Sequence, residues 1–208
     1  MKKLLVESPN DQHFIKNLFK KIKGLGEKDR IGFEIFPCDG ISELLKIIPA
    51  QLISSDIETL AIVVDADEDL PKRWKEIKSI FEKYGYQIPE TPRLEGEVID
   101  KQGVYPKIGI WLMPNNLTTG ILEDFIAKII SEDDKLKPMV VEVLDDIEKK
   151  GLHLYKPQYR PKALIHTWLA WQKEPGKPFG WAITLGYFDS NSNLTKTFIS
   201  WLDKLFIN

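Results

Sequence analysis

Two short acidic segments carry the strongest chemical signal in the sequence. Asp65 and Asp67 stand at i and i+2 directly after the apolar run TLAIVV, so an extended backbone would point both carboxylates to one side. Glu68 and Asp69 follow at once. Far upstream, Glu7 closes the apolar run LLV, and Asp11 opens the segment after it. Carboxylates crowded into one cleft raise each other's cost of ionisation, whereas a divalent cation reverses that balance. Magnesium is the expected ion, because it takes hard oxygen donors, keeps several waters and engages substrate phosphates; manganese accepts similar ligands. A pair of such ions would activate water and stabilise charge on the attacking and leaving oxygens of a phosphodiester. The plainer alternative is that these acids only solubilise a strand end, as exposed acidic runs commonly do.

For distant acids to meet, the elements carrying them must lie side by side. LLVE reads as a short buried strand ending at Glu7, and SPND then supplies turn and cap chemistry before the amphipathic run HFIKNLFKKIKG. IGFEIFP, residues 31–37, is a second strand, followed by a CDG turn and the helix ISELLKIIPAQL. TLAIVVDADED, residues 59–69, is the clearest strand, apolar until it ends in carboxylates. The next segment places Trp74, Ile77, Ile80, Phe81 and Tyr84 at helical spacing, with Pro71 in the first turn. KIGIWLMP, residues 107–114, is a further strand, and ILEDFIAKII a further helix. This alternation predicts an α/β fold over residues 1–130: a mostly parallel, Rossmann-like sheet flanked by helices, with ligands at the carboxyl ends of the strands. Residues 87–106 are turn-rich and read as an insertion with a short hairpin, either a lid or a surface loop. From residue 131 the pattern becomes helical, which predicts a C-terminal cap over 131–208 packed on the core.

Composition narrows the classes. At 208 residues and 43% hydrophobic content the chain has ample material for one core, which excludes wholesale disorder and a disulfide-stapled miniprotein. Its 29 basic and 31 acidic side chains sum to −2, which excludes a uniformly cationic nucleic-acid wrapper but not a local phosphate-binding patch. Cys38 is the sole cysteine, so neither an intrachain disulfide nor a thiolate-rich metal site can form. No apolar stretch approaches the roughly 20 residues needed to cross a bilayer, and the start does not read as a signal peptide; a cytoplasmic setting without membrane contact is expected. His13, His153 and His166 have no ligand spacing and read as structural or exposed. Ser8 lacks a nucleophile elbow, and CDGISE lacks the spacing of a P-loop.

The order of Glu7 after a strand, the Gly40 turn and DAD at 65–67 after another strand resembles the Toprim domain shared by topoisomerases, primases and overcoming-lysogenization-defect nucleases. Over the whole chain the sequence is more specifically similar to small Toprim-related proteins of the DUF3226 type, through GIWLMPNNLTTGILEDF and RPKALIHTWLAWQKEPGKPFGWAI. The resemblance implies a Toprim-like core in which Glu7 is a general acid/base or metal-coordinating residue. It also implies that Asp65 and Asp67 coordinate magnesium, with Glu68 or Asp69 assisting; Asp11, at the start of the helix after the first strand, joins the expected ligand set by position, since it and Glu7 reach the same sheet edge if the first and third strands are neighbours.

Other residues extend this site. Glu123 and Asp124 open a helix after the 107–114 strand, where an extra carboxylate would reach the cluster or simply favour the helix start. Asp39 reads as the cap of the helix at Ile41. Lys156, Arg160, Lys162, Lys173 and Lys177 alternate with Tyr159, Trp168, Trp171 and Trp181, a composition suited to phosphate contacts and base stacking. Trp168 and Trp171 read as a packed stripe, and Lys162 as a cation that reaches a phosphate or stays solvated. The leading expectation is a magnesium-dependent phosphodiester hydrolase or phosphotransfer protein acting on DNA or RNA, with Glu7, Asp65 and Asp67 as its minimal centre. The alternative is a noncatalytic nucleic-acid or nucleotide-binding regulator. A third reading is a protein-binding component of a repair or defence assembly.

Overall fold

The computed structural model describes residues 1–207. Five strands, β1 (Lys2–Val6), β2 (Glu34–Pro37), β3 (Thr59–Asp65), β4 (Glu97–Ile99) and β5 (Lys107–Met113), form one sheet in the order β2-β1-β3-β5-β4. All neighbours run parallel except β4, which pairs antiparallel with β5 at the edge. The turn-rich insertion thus contributes one edge strand rather than a free hairpin. The second strand is shorter than its pattern predicts: residues 31–33 lie outside it, and Phe33 leaves the sheet to stack on Phe206.

Side-chain alternation sends the strands' apolar residues to two cores. Leu4, Val6, Ala61, Val63, Trp111 and Met113 face one, and Leu5, Leu60, Ile62, Val64, Ile110 and Leu112 the other. Helices α2 (Ile41–Leu52) and α3 (Leu70–Glu82) cover the second face through Leu44, Ile48, Trp74, Ile77 and Phe81. The first face is covered by α1 (Pro9–Lys23), α4 (Leu122–Lys128) and the C-terminal α8 (Asn193–Phe206). Between them lie α5 (Leu136–Lys149), α6 (Arg160–Ala170) and α7 (Phe179–Thr184).

The segment from residue 131 shares the first core with the sheet. Phe198 and Trp201 pack on Trp111, and the Trp201 indole N–H donates to the carbonyl of Glu97 at 2.9 Å. Gly96 leaves room for the two tryptophans, since a β-carbon there would sit 2.6 Å from Trp201 and 2.8 Å from Trp111, and Gly109 in β5 does the same for Leu205 of α8. Burying side chains such as Leu205 and Phe198 contributes roughly 1.5–3 kcal/mol each, so α8 is part of the layer that completes the sheet. No helix among the described residues is long and apolar enough to cross a membrane.

The chain passes from β1 to β2 on one side and then crosses to β3 on the other. That reversal opens a crevice between the carboxyl ends of β1 and β3, the place where open α/β sheets bind ligands.

Candidate functional site at the switch point of the sheet

Glu7 follows the last residue of β1, and its backbone is committed to the neighbouring turn: the Gly40 N–H donates to the Glu7 carbonyl at 2.8 Å. Gly40 holds φ 100°, a conformation that side chains resist, and it starts α2 without any side-chain cap. Asp39 therefore does not cap this helix as the sequence suggests; it takes a left-handed φ of 60° instead. Strand β3 runs beyond β1, which leaves the Asp65 N–H without a strand partner on that side. The Glu7 carboxylate fills the gap, accepting that N–H at 2.8 Å. Two acids 58 positions apart are thereby joined.

Asp67 departs from the expected geometry. The strand ends at Asp65, and Asp67 adopts φ 53°, so the i, i+2 alternation of an extended chain no longer applies. A two-residue bridge holds it there, with Asp67 N–H donating to the Gly120 carbonyl at 2.9 Å and Gly120 N–H returning at 2.8 Å. Its carboxylate pairs with Arg73 at 2.7 Å, and the Arg73 Nε–H donates to the Asp65 carbonyl at 3.2 Å. Asp69 caps α3, accepting the Lys72 N–H at 2.9 Å. Glu68 lines the open cleft beside Asp67.

Asp11 and Glu123 approach from the first face. Asp11 forms a capping box with Ser8, accepting the Ser8 backbone N–H at 2.8 Å, so its carboxylate also serves the start of α1. Glu123 is only 6% exposed on the first turn of α4, and the Lys162 ammonium from the start of α6 stands 4.0 Å from it. Asp124 turns back instead and accepts the Ile121 N–H at 2.9 Å.

Electrostatics ties these groups together. Burial pushes the Glu7 carboxyl up from 4.5 to about 7; the Asp65 N–H opposes the rise, Asp11 and Asp67 add to it, and Arg73 counters. Burial, and then the charges of Glu7, Asp11, Glu123 and Asp67, holds Asp65 well above the ordinary aspartate value. Asp11 is raised by burial against the pull of its Ser8 bonds, and Glu123 is raised by burial against the pull of Lys162. Four carboxyls in one locality thus all resist ionisation. Such a site gains from a cation or from retained protons.

The donor set is chemically suited to magnesium or manganese. No three histidine, cysteine or carboxylate side chains among the described residues already converge as a metal cage. Magnesium does not require one, since it commonly uses one or two carboxylates and keeps its remaining waters. Among these acids, Glu7 and Asp65 are joined directly, through the Asp65 N–H.

Asp65 borders a cleft of about 450 Å³ that Glu7 does not line; with Asp65 on its sheet side are Asp67 and Glu68, and on the cap side Pro157, Gln158, Tyr159 and Lys162. A second cleft of about 550 Å³ adjoins it, sharing Asp67, Glu68, Gln158 and Tyr159 and adding Lys72 and Arg73. The cap segment thus forms a wall of the site. Lys162, the first residue of KALIHTWLAW and on the first turn of α6, belongs to that wall. The expected Trp stripe divides: Trp168 is buried with its N–H on Asp134, while Trp171 is largely exposed. Arg73 is the residue that sequence reasoning missed. Its only signal is a position on the first turns of the helix that follows the DAD segment.

Fold and site together define an α/β protein with an acidic crevice at the switch point of a five-stranded, mostly parallel sheet. The chain belongs to the family described as Protein of unknown function (DUF3226), which matches residues 1–207. No curated protein and no solved structure matches it.

Proposed function

We propose that the protein is a Toprim-like, magnesium-dependent phosphodiester hydrolase or phosphotransferase acting on nucleic acid. The single observation that carries this reading is the Glu7 carboxylate seated on the Asp65 N–H at the switch point. Glu7 and Asp65 would hold magnesium, or manganese in its place, with the charges of Asp67, Asp11 and Glu123 acting on that pair and Glu68 and Asp69 lining the adjoining cleft. Bound there, the ion would activate water and offset charge on phosphate oxygens.

The chain's own groups supply the rest. Glu7 would act either as a ligand, held ionised by the cation, or, with the ion resting on Asp65, as a general acid/base, a role suited to a carboxyl that burial pushes up to about 7. Lys162 and Lys72 place cations on the walls of the paired clefts, where phosphate charge would lie. Arg73 pairs with the Asp67 carboxylate and keeps the Asp65 carbonyl occupied.

Labelled DNA and RNA, single- and double-stranded, incubated with the protein and Mg²⁺ or Mn²⁺, test the reading. Turnover that disappears in Glu7→Gln and Asp65→Asn supports it. Absence of turnover on every substrate, with the metal bound, removes the catalytic assignment.

The contact of Lys162 with Glu123 favours one second reading, a noncatalytic nucleic-acid or nucleotide-binding regulator, because it uses a phosphate-binding cation to neutralise an acid. That reading expects salt-sensitive binding with no product. In either case a cytoplasmic setting accords with Cys38 remaining a buried free thiol.

A further inference from the structure

We propose that Tyr159 is a stacking platform for one unpaired base, and that the substrate is therefore an unpaired nucleotide, free or at a single-stranded end. The inference rests on the acidic crevice being the phosphate-reacting centre, and it names what that centre accepts.

Tyr159 closes a short 3-10 turn, Pro157–Tyr159, and is held by its backbone N–H donating to the Lys156 carbonyl at 2.8 Å. Its ring is not spent on the core: the residue is 47% exposed, whereas Trp168, nine positions on, is buried. It borders both clefts, so a ligand spanning them must pass the ring. The Lys162 ammonium stands over one face of the ring, 5.8 Å from its centroid, and 4.0 Å from Glu123, so the opposite face is the one a base would take. A ring for a base and a cation for the adjoining phosphate thus stand together on the cap wall, across the cleft from Asp65, Asp67 and Glu68. Stacking of this kind tolerates any base, because every base has a π-face.

Size points the same way. Clefts of about 450 and 550 Å³ lie within the range that encloses a small ligand. A base inside a duplex is stacked on its neighbours and cannot present a free face to the ring without leaving the helix. The many acids around the cleft repel a bare phosphate, so the base contact supplies attraction that phosphate charge alone does not.

The test uses the full chain and three probes with one fluorescent base, 2-aminopurine: the mononucleotide, a single-stranded oligonucleotide carrying it at its end, and a duplex in which it is paired inside the helix with further base pairs on both sides. Binding of the first two with quenching, and a duplex at least tenfold weaker, is expected. The mononucleotide and oligonucleotide arms separate a free nucleotide from a strand end. Tyr159→Ala should weaken the better ligand by roughly 5- to 150-fold, the span of one stacked base, and Tyr159→Phe should retain affinity. Equal binding of duplex and single strand, no binding of any probe, or an unchanged Tyr159→Ala would overturn the inference. Mn²⁺ binding, followed separately by electron paramagnetic resonance, keeps the two readings apart. Manganese bound without base quenching sinks the platform alone, and Tyr159-dependent quenching without manganese binding sinks the metal centre alone.

Discussion

The carboxylate of Glu7, at the end of β1, accepts the backbone N–H of Asp65, at the end of β3, at 2.8 Å. That bond does two things. It satisfies a donor that the sheet leaves open, and it brings a second carboxylate to an acid already crowded by Asp11 and Glu123. The folded chain therefore holds charge that water would disperse, and several consequences can be measured.

Stability should fall as pH rises. The folded-state value of Glu7 is raised, so its contribution to stability is fully present below about 4.5 and is lost as pH climbs through about 7. The shift corresponds to on the order of 3 kcal/mol, and the raised Asp65, Asp11 and Glu123 act in the same direction. Chemical denaturation in a chelator from pH 5 to 8 should show the decline. Glu7→Gln, which keeps an oxygen for the Asp65 N–H, should flatten it; an equally steep profile in the variant would remove Glu7 as the cause.

Divalent cation should reverse that loss. An ion that binds only the folded state at a concentration one hundred times its dissociation constant adds about 2.7 kcal/mol, or roughly 5–10 °C in Tm for a chain of this size. Thermal unfolding at pH 7.5 with Mg²⁺ or Mn²⁺ should show the rise in the wild type and not in Glu7→Gln/Asp65→Asn. A rise of the same size in the double variant would place the ion elsewhere.

Arg73 should tune the centre from outside it. Its positive charge opposes the upward shift of Glu7, and its guanidinium holds Asp67. Arg73→Ala should push the Glu7 carboxyl further up, read by carbon-detected NMR titration of the side chain. Arg73→Lys should restore the charge but not the forked contact to Asp67 and Asp65. A titration unmoved by Arg73→Ala would show that the charge is screened.

Packing of α8 on the sheet should depend on Gly109. A methyl group there meets Leu205 at 2.4 Å, so Gly109→Ala should cost about 1–3 kcal/mol by overpacking. Leu205→Ala should cost about 2–5 kcal/mol through the cavity it leaves. Because the inserted carbon occupies part of that cavity, the double variant should be less destabilised than the sum by about 1 kcal/mol or more. Simple additivity in urea denaturation would show that the two do not meet.

Much of this was legible in the residues. TLAIVV is apolar at every position because β3 is buried on both faces, and SPND carries its own cap in Ser8 and Asp11. Local composition states such things directly. The 131–208 segment reads only as helical, since nothing in TFISWLDKLF says that its apolar side meets Trp111. The DAD pattern misled because alternation assumes an extended chain, and Asp67 is held left-handed by Gly120, a residue 53 positions away. Arg73 was missed for the same reason: an arginine on a helix announces nothing until its partners are placed.

The sequence by itself determined which segments are strands and helices, and that carboxylates stand at two strand ends, because periodicity and residue type act over a few neighbours. Only the tertiary structure decided that Glu7 reaches Asp65, that Asp67 is turned to Arg73, and that Tyr159 and Lys162 wall the cleft. Those relations depend on strand order and on how far one strand outruns the next, which are set by packing across the whole chain.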